Sequence, residues 1–500
     1  MNPAASHADS ERRLHPWSWL FVLIQQLRQF LLPLLALVVF GGRGDRSDLV
    51  NHLVTLGVVL ALVAASVLQY LTYRYRIGSD GLSIRSGVLQ RNRREIPFAR
   101  IHNVIVHQNP LHRLFGVAEL RLESAAGHKP EARMQVLDLS QALALERLVR
   151  QRGTTPAGGA DSEPTAEVLL TLAPGELVRL GLISNRALVV VAAAFGAGYQ
   201  LIPRQAVGTF LEHQGRQMAG YASHLPLGSA ATAFSAAALL LFALLVLRVL
   251  SVGLALLQYH GFRLSETERR LTVERGLLSH LRTSAARRRI QAWTLREGVL
   301  HRLFGRRNLR VDIAAGTAGD DQGRMLKELA PIATAQACDA LINRLLPAAE
   351  WPPRQWHPVA REGWWRLCLP ALLFTVLLAA ATGYRFGTWG LLPLLWMPWS
   401  AFKARRQIAR MGYAVDAQRV AVRGGWWNRW WRLAEVDKLQ ALQLSRSPLD
   451  RRFGTATLTL DTAGAGGNTP PLRLRFLPVT HAEALLEQLS QALARRRLRW

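Results

Sequence analysis

The chain has 500 residues, half of them apolar, and a formal net charge of +28. These properties rarely occur together in a soluble enzyme, and they are reconciled if the apolar residues lie in membrane spans and the basic residues lie between the spans. A pI near 11.5 indicates an anionic partner, either nucleic acid or the anionic inner leaflet of a membrane. The two cysteines exclude a disulfide framework and have no metal-ligand spacing.

Six apolar stretches predict transmembrane helices in three hairpins, because a helix needs about 20 mostly apolar residues to cross the hydrocarbon core. The stretches are Trp17–Phe40, Leu49–Tyr70, Leu188–Pro203, Leu227–Leu247, Trp364–Thr382 and Phe386–Phe402. Basic residues are scarce in the connections within the hairpins and abundant at the opposite ends. The positive-inside rule therefore predicts a multi-pass protein of the inner membrane with both termini in the cytoplasm.

Arg28 lies within the first predicted span and has two interpretations. A charge inside the membrane is a functional hypothesis by default, for instance in a transport path. The alternative, which we favour, is that His15–Gln29 begins as an interfacial helix and that Arg28 reaches the cytoplasmic headgroups. Arg248, at the inner end of the fourth span, is interpreted in the same way.

One sequence pattern follows each predicted hairpin. A glycine precedes a basic-apolar pair, and the pattern closes with Leu-x-Arg-x-Phe-Gly at the same spacing each time. The opening glycines, called the repeat glycines below, are Gly87, Gly276 and Gly425. The closing motifs are Leu111–Gly116, Leu300–Gly305 and Leu449–Gly454. Such self-similarity indicates one module used three times. Its short alternating segments and final helical run predict six or seven strands followed by an amphipathic helix.

The first copy reads Tyr-x-Ile, Asp-Gly-Leu, Gly-Val-Leu, Ile-Pro, Arg-Ile and Leu-x-Arg-Leu-Phe-Gly in order, and ends in Ser-Ala-Ala-Gly at Ser124–Gly127. This order resembles the bacterial pleckstrin-homology-like (PH-like) domain, which occurs after paired spans in membrane proteins and is repeated in some of them. The resemblance implies an α+β membrane protein, with about seven bent antiparallel strands and a C-terminal helix in each cytoplasmic module. It implies no particular ligand.

The predicted organisation alternates hairpins and modules along the chain. The N-terminal segment with hairpin 1 covers 1–71, module 1 covers 72–152, and a flexible linker with a juxtamembrane segment covers 153–187. Hairpin 2 covers 188–257 and module 2 covers 258–347. A linker with hairpin 3 covers 348–402, and module 3 covers 403–500.

Two groups of arginines are candidate contacts for an anion or another ligand. Arg113, Arg302 and Arg451 occupy the same position in the three motifs. Each could pair with a carboxylate of its own module or bind an anion, and the sequence leaves both open. The second group is the run Arg287, Arg288 and Arg289 of module 2. The phenylalanines of the motifs are predicted to anchor the module cores.

Four tryptophans of module 3 are candidate membrane-interface contacts, since indole rings favour the headgroup level. They are Trp426, Trp427, Trp430 and Trp431, with arginines interleaved. Burial in the core of module 3 is the alternative, and the sequence leaves it open. Stacking on nucleic acid is not expected of a membrane-tethered module.

No enzyme signature occurs: the chain lacks a glycine-rich phosphate loop, a His-Glu-x-x-His motif and a nucleophile elbow. His102, His107 and His112 are close in sequence, but strand alternation separates them, so no metal and no cofactor is predicted. The leading hypothesis is a non-enzymatic protein that binds or scaffolds at the inner membrane surface, through anionic lipid, a peptide or another membrane protein, in envelope stress or antimicrobial resistance. The alternative is a six-span transport or lipid-handling protein. The oligomeric state is not predicted.

Overall fold

A computed structural model gives the fold of most of the chain. It describes residues 11–24, 26–27, 45–87, 90–124, 132–152, 166–201, 229–313, 326–346, 350–463 and 469–495. Three modules follow one another, and each consists of seven antiparallel strands and a C-terminal helix. The predicted mixed fold of the modules is therefore confirmed.

In module 1, the strands are β1 (Arg12–Arg13), β2 (Arg74–Ile77), β3 (Gly81–Ser86), β4 (Asn92–Pro97), β5 (Ile101–Gln108), β6 (Val117–Ser124) and β7 (Ala132–Asp138). Helix α1 (Asp45–Thr72) leads into β2, α2 (Pro110–Leu114) carries the motif, and α3 (Leu139–Arg152) closes the module. Asp138 begins α3 by accepting a 2.8 Å hydrogen bond from the backbone N–H of Ser140.

In module 2, the strands are β8 (Glu167–Thr171), β9 (Arg263–Thr267), β10 (Arg270–Arg275), β11 (His280–Ala286), β12 (Ile290–Glu297), β13 (Arg306–Ile313) and β14 (Glu328–Thr334). Its helices are α4 (Pro174–Ile183), α5 (Arg186–Leu201), α6 (Ser229–Tyr259), α7 (Val299–Leu303) and α8 (Ala335–Leu345).

In module 3, the strands are β15 (His357–Pro358), β16 (Gly412–Val415), β17 (Arg419–Gly424), β18 (Arg429–Glu435), β19 (Leu439–Ser445), β20 (Thr455–Thr462) and β21 (Arg473–Pro478). Its helices are α9 (Trp364–Phe386), α10 (Trp396–Arg410), α11 (Pro448–Arg452) and α12 (Val479–Ala494). In all three modules, the first strand precedes the hairpin in sequence and pairs with a strand that follows it. Each hairpin is thus inserted into its module and does not simply precede it.

The sheets cross the boundaries between modules. One seven-stranded sheet has the order β7-β6-β5-β11-β10-β9-β8, and a second has the order β14-β13-β12-β18-β17-β16-β15. The last three strands of one module are therefore continuous with the first four of the next. We call the β5–β11 pairing the first junction and the β12–β18 pairing the second junction.

The hydrophobic cores also cross the second junction. Ala421 and Leu433 of module 3 belong to the core of module 2, and Ala292 of module 2 belongs to the core of module 3. Burial of apolar area drives such packing at about 25 cal/mol per Å². Modules 2 and 3 are consequently packed together through shared cores, whereas module 1 has its own core and is joined to module 2 through the shared sheet.

The count of six spans was wrong for the described residues. Two stretches, Phe234–Tyr259 and Arg361–Arg410, are long and apolar enough to cross a membrane. The count is three if Pro174–Ile183 and Arg186–Gly196, which are bent by 55° relative to each other, form one span. Leu56–Thr72 is a shorter apolar helix. The chain folds back after Phe386 as a 3-10 segment, where Thr382 donates a 2.6 Å hydrogen bond to the carbonyl of Gly390.

The sequence count failed for two physical reasons in this part of the chain. Helix α5 begins after a sharp bend from α4, and α10 loses its apolar character after Phe402 as it enters module 3. Much of the first predicted span, including Arg28, lies outside the described residues. Arg248 does not simply reach toward headgroups, because its guanidinium donates to the carbonyls of Leu182 and Ser184 at the bend between α4 and α5.

Glycines close the three motif helices α2, α7 and α11 as expected. Gly116, Gly305 and Gly454 have φ values of 66°, 61° and 61°, in the left-handed region that favours glycine. The chain can therefore leave each motif helix and enter the next strand at once.

Candidate membrane-facing surface and module junctions

The motif arginines of modules 1 and 2 hold the junctions together. The guanidinium of Arg113 donates a 2.5 Å hydrogen bond to the carbonyl oxygen of Leu277, in the loop that follows the repeat glycine of module 2. Arg302 makes the corresponding 2.9 Å bond to the carbonyl oxygen of Trp427 in module 3. In these two copies the structure shows a third role, neither a carboxylate partner nor a bound anion: each arginine binds the backbone of the next module.

The run Arg287–Arg289 forms a 3-10 turn between β11 and β12 and is partly structural. Arg287 lies 3.4 Å from the carboxylate of Glu266, and the carbonyl of Arg288 accepts a hydrogen bond from Lys438 of module 3. Burial, together with the neighbouring guanidinium of Arg288, lowers the pKa of Arg289 to about 10. These contacts leave Arg288 as the exposed member of the run.

The second junction contains a buried ion pair that sequence reasoning missed. Arg432 on β18 lies 2.6 Å from the Asp312 carboxylate on β13, and both side chains are almost fully buried. Arg432 also donates to the hydroxyl of Thr294 on β12 at 3.2 Å. At the first junction, His107 and Ser279 make a 2.8 Å side-chain hydrogen bond instead. No local pattern indicates these pairs, because their partners belong to different modules.

A second missed cluster ties the end of a hairpin helix to module 2. The hydroxyl of Tyr259, the last residue of α6, donates to the carboxylate of Glu328 on β14. Arg310 donates to the same carboxylate at 2.5 Å, and Arg275 lies 3.6 Å away. Burial raises the pKa of Glu328, but the charge of Arg310 and the Tyr259 hydrogen bond outweigh it and hold that pKa below its ordinary value. The cluster fixes the helix to the sheet.

The motif helices lie at the foot of the hairpins. In module 1, the ring of Phe115 is 4.8 Å from that of Trp17, which immediately precedes the first hairpin helix. In module 3, Phe453 is 5.4 Å from Trp365 at the start of α9. Phe453 is half exposed. Phe115 and Phe453 therefore contact residues at the start of a hairpin, and the predicted role of the motif phenylalanines as core anchors was wrong for these two.

The loops after the repeat glycines lie at the same foot. The N–H of Gly276 donates to the carbonyl of His260, and the N–H of Leu277 donates to that of Leu257 near the end of α6. In module 3, the rings of Trp426 and Phe402, on α10, are 5.3 Å apart. This loop is thus held against the helix that leaves the hairpin in module 2 and in module 3.

The combined surface of motif helices and loops, which we call the hairpin-foot surface, is apolar. Its members share large apolar side chains left exposed to solvent. They are Leu111, Leu114, Leu277, Leu278, Val299, Leu303, Trp427, Leu449 and Phe453. Leu114 and Leu303, at equivalent positions, are each 76% exposed. Exposed apolar groups that recur at one place in each module mark an interaction surface, and here they lie beside hairpin helices.

The four candidate tryptophans divide into two pairs. Trp426 and Trp427 lie in the loop beside α10, where Trp427 is about half exposed, so their position suits a membrane interface. Trp430 and Trp431 lie on β18 and pack against the cores of modules 3 and 2. An open groove of about 560 Å³ adjoins the first pair, and its polar lining includes Lys403, Gln407 and Asn428.

These features define a class of protein: a row of fused β-modules carried at the feet of membrane helices. The sequence model described as "Bacterial PH domain" matches residues 22–153, 221–346 and 364–493. Because these matches cover most of the chain, the chain belongs to the bacterial PH domain family, as a triple-repeat member.

One relative extends over almost the whole chain. The UPF0699 transmembrane protein YdbT of Bacillus subtilis (strain 168) is 20% identical over 468 residues, which are 90% of this chain and 92% of the relative. No solved structure matches. The relative's name and the apolar helices together indicate a membrane protein.

Proposed function

We propose that the protein is a non-enzymatic scaffold whose three modules lie side by side on the cytoplasmic surface of the inner membrane. The observation that carries the proposal is the hairpin-foot surface: exposed apolar side chains occur on the motif helices or the neighbouring loops in all three modules. Side chains such as Trp427 would enter the headgroup region, where indole rings are favoured. The junctions make the row rigid, so a partner would meet three modules at fixed positions.

Anionic lipid is the ligand that the surface chemistry favours. Lys403 and Gln407 line the groove beside Trp427, which pairs a cation with an apolar wall. Each cation near an anionic membrane surface contributes on the order of 1 kcal/mol, and salt reduces this attraction. A peptide or another membrane protein would have to compete with the bilayer for this surface. We place the scaffold in envelope stress or antimicrobial resistance, where a protein that covers the inner leaflet would be useful.

Depth-dependent quenching tests the placement in the intact protein. Cys338 and Cys368 are replaced by serine, and Asn428→Cys is labelled with an environment-sensitive fluorophore in nanodiscs that contain spin-labelled lipids. The matched control is Ala417→Cys, in the exposed turn at the other end of β17. The label at 428 should be quenched strongly and the label at 417 weakly. Equal, weak quenching at both positions would overturn the proposal.

A second experiment tests whether the modules prefer anionic lipid. Nanodiscs of phosphatidylcholine with and without phosphatidylglycerol should differ in quenching at position 428, and added salt should remove the difference. If quenching occurs but is identical in both lipids, the modules contact the membrane without a preference for anionic lipid. The transport alternative depended on Arg28, which lies outside the described residues, and none of the contacts described above favours it.

A further inference from the structure

The two junctions use the same strands in the same register. At the first junction, His280 pairs with Gln108; at the second, Arg429 pairs with Glu297. Counted from the repeat glycines, His280 and Arg429 occupy the same position, and so do Gln108 and Glu297. At both junctions, the third strand after a hairpin thus joins the fifth strand of the preceding module. The chain builds one interface twice.

The two ends of the row carry the two halves of that interface. Strand β4 of module 1 corresponds to β11 and β18, and β19 of module 3 corresponds to β5 and β12. Within the described part of the chain, β4 pairs only with β3 and β19 pairs only with β20. An open strand edge presents unpaired backbone donors and acceptors and is a template for another strand. Five of the six residues of β4 are exposed.

Side chains at the two ends reproduce the buried ion pair of the second junction. By the repeat spacing, Arg94 on β4 corresponds to Arg432, and Asp461 on β20 corresponds to Asp312. Asp312 pairs across the sheet with Ala292, and Asp461 pairs in the same way with Ala441. Asp312 is buried against module 3, whereas Asp461 is exposed. The chain therefore carries an arginine at one end and a carboxylate at the other, each in the position that the junction uses.

The motif arginine of module 3 fits the same scheme. Arg113 and Arg302 each bind the backbone of the next module. Arg451 is at the equivalent position in module 3, and its side chain is exposed. A module placed beside β19 by the same interface would offer it a backbone partner.

We propose that the partner of these edges is a second copy of this chain, joined head to tail with β19 of one copy beside β4 of the next. The register of the internal junctions sets Asn92 opposite Ser445 and Arg94 opposite Gln443, and brings Arg94 to Asp461. A head-to-tail interface of this kind generates a ring or an open filament.

One contact of the assembly is unfavourable, and it provides a test. Arg91 would face Arg446, where the second junction has Arg429 beside Glu297 at 3.4 Å. Arg446→Glu should therefore tighten the association, while Asp461→Arg should weaken it about tenfold or more. Combining Asp461→Arg with Arg94→Asp should restore most of the loss. Arg451→Ala should also weaken association. Mass photometry of the full chain in detergent measures all of these.

Disulfide trapping tests the register. In chains without Cys338 and Cys368, Asn92→Cys and Ser445→Cys are placed on separate molecules, because opposite residues in antiparallel strands have Cβ atoms about 4.5–5.5 Å apart. The mixture should give a reducible dimer. The control, Arg93→Cys with Ser445→Cys, is shifted by one residue and presents opposite faces, so it should give little.

Three results would overturn the inference: equal trapping in both mixtures, no trapping in either, or a disulfide within a single chain that carries both cysteines. Monomers at all concentrations in detergent and in nanodiscs would do the same. The inference is independent of the proposed lipid contact, because association in detergent needs no bilayer. Failure of quenching at position 428 would therefore not contradict the head-to-tail association. Failure of the association would likewise not contradict the proposed lipid contact.

Discussion

The buried pair of the second junction gives the largest expected effect of a single change. Arg432→Met removes the guanidinium that lies 2.6 Å from the Asp312 carboxylate, in a place where both side chains are about 1–2% exposed. The carboxylate would remain inside the interface without its ion pair. Removing one partner of such a pair costs about 3–5 kcal/mol, because an uncompensated charge stays buried.

The assay is hydrogen exchange of the full chain in detergent, followed at the amides of β12 and β18. A loss of about 3–5 kcal/mol corresponds to exchange that is on the order of 10²–10⁴ times faster at this junction, since each 1.4 kcal/mol is a factor of ten. Exchange at the first junction should change little. An acceleration of less than about tenfold would refute the claim that the pair is desolvated.

A double variant separates the free-energy cost of the unpaired charge from the net stabilisation that the ion pair itself provides. Arg432→Met with Asp312→Leu should recover most of the protection, because replacing a buried pair by apolar groups is often neutral. If the double variant exchanges as fast as the single one, lost packing and not the orphaned carboxylate explains the effect.

Two further predictions concern stability. Gly276→Ala should lower the midpoint of thermal unfolding far more than Gly305→Ala. A Cβ at position 276 would lie 1.9 Å from a backbone oxygen, at a φ of 112°, whereas a Cβ at position 305 meets open space and costs only about 1–2 kcal/mol for the left-handed conformation. Similar midpoints for the two variants would contradict this. Asp450 is predicted to give stability that acid removes. Burial raises its pKa, but hydrogen bonds from Ser447 and the charge of Arg366 hold the pKa below the ordinary value. A carboxyl group whose pKa is lower in the folded state stabilises the fold above its unfolded-state pKa of about 4, and this stabilisation is lost as the pH falls through the folded-state pKa. The stability advantage of wild type over Asp450→Asn, measured by thermal unfolding, should therefore shrink below about pH 4. An advantage that is constant with pH would exclude this role.

The sequence predicted the modular architecture well because the repeat is local. Glycines such as Gly116 are needed wherever a helix must end in the left-handed conformation, and their spacing therefore records the order of turns. The alternating segments between them gave the strands and the closing helix of each module. The same reasoning overcounted the spans in the described part of the chain, because apolar composition does not show that the chain bends between α4 and α5 or that the end of α10 belongs to module 3.

The site residues were predicted less well, because their partners are distant in the chain. Arg113 and Arg302 were recognised as repeated, but the atoms they bind belong to the next module. Trp426 and Trp431 looked alike in one short run, yet one lies beside α10 and the other packs against a core on β18. The folded structure separates them, because β18 begins at Arg429, between the two residues.

The amino-acid sequence alone determined that one module is used three times, that it is attached to apolar helices and that it is strongly basic. These properties follow from residue spacing and composition, which do not depend on tertiary contacts. The tertiary structure decided that the modules share sheets, that two of the motif arginines bind backbone across the junctions and that the two ends of the row match. Hydrogen bonds between strand edges carry no sequence signature, since any residue supplies the same backbone groups, and so the pairing of modules could be seen only once the chain was folded.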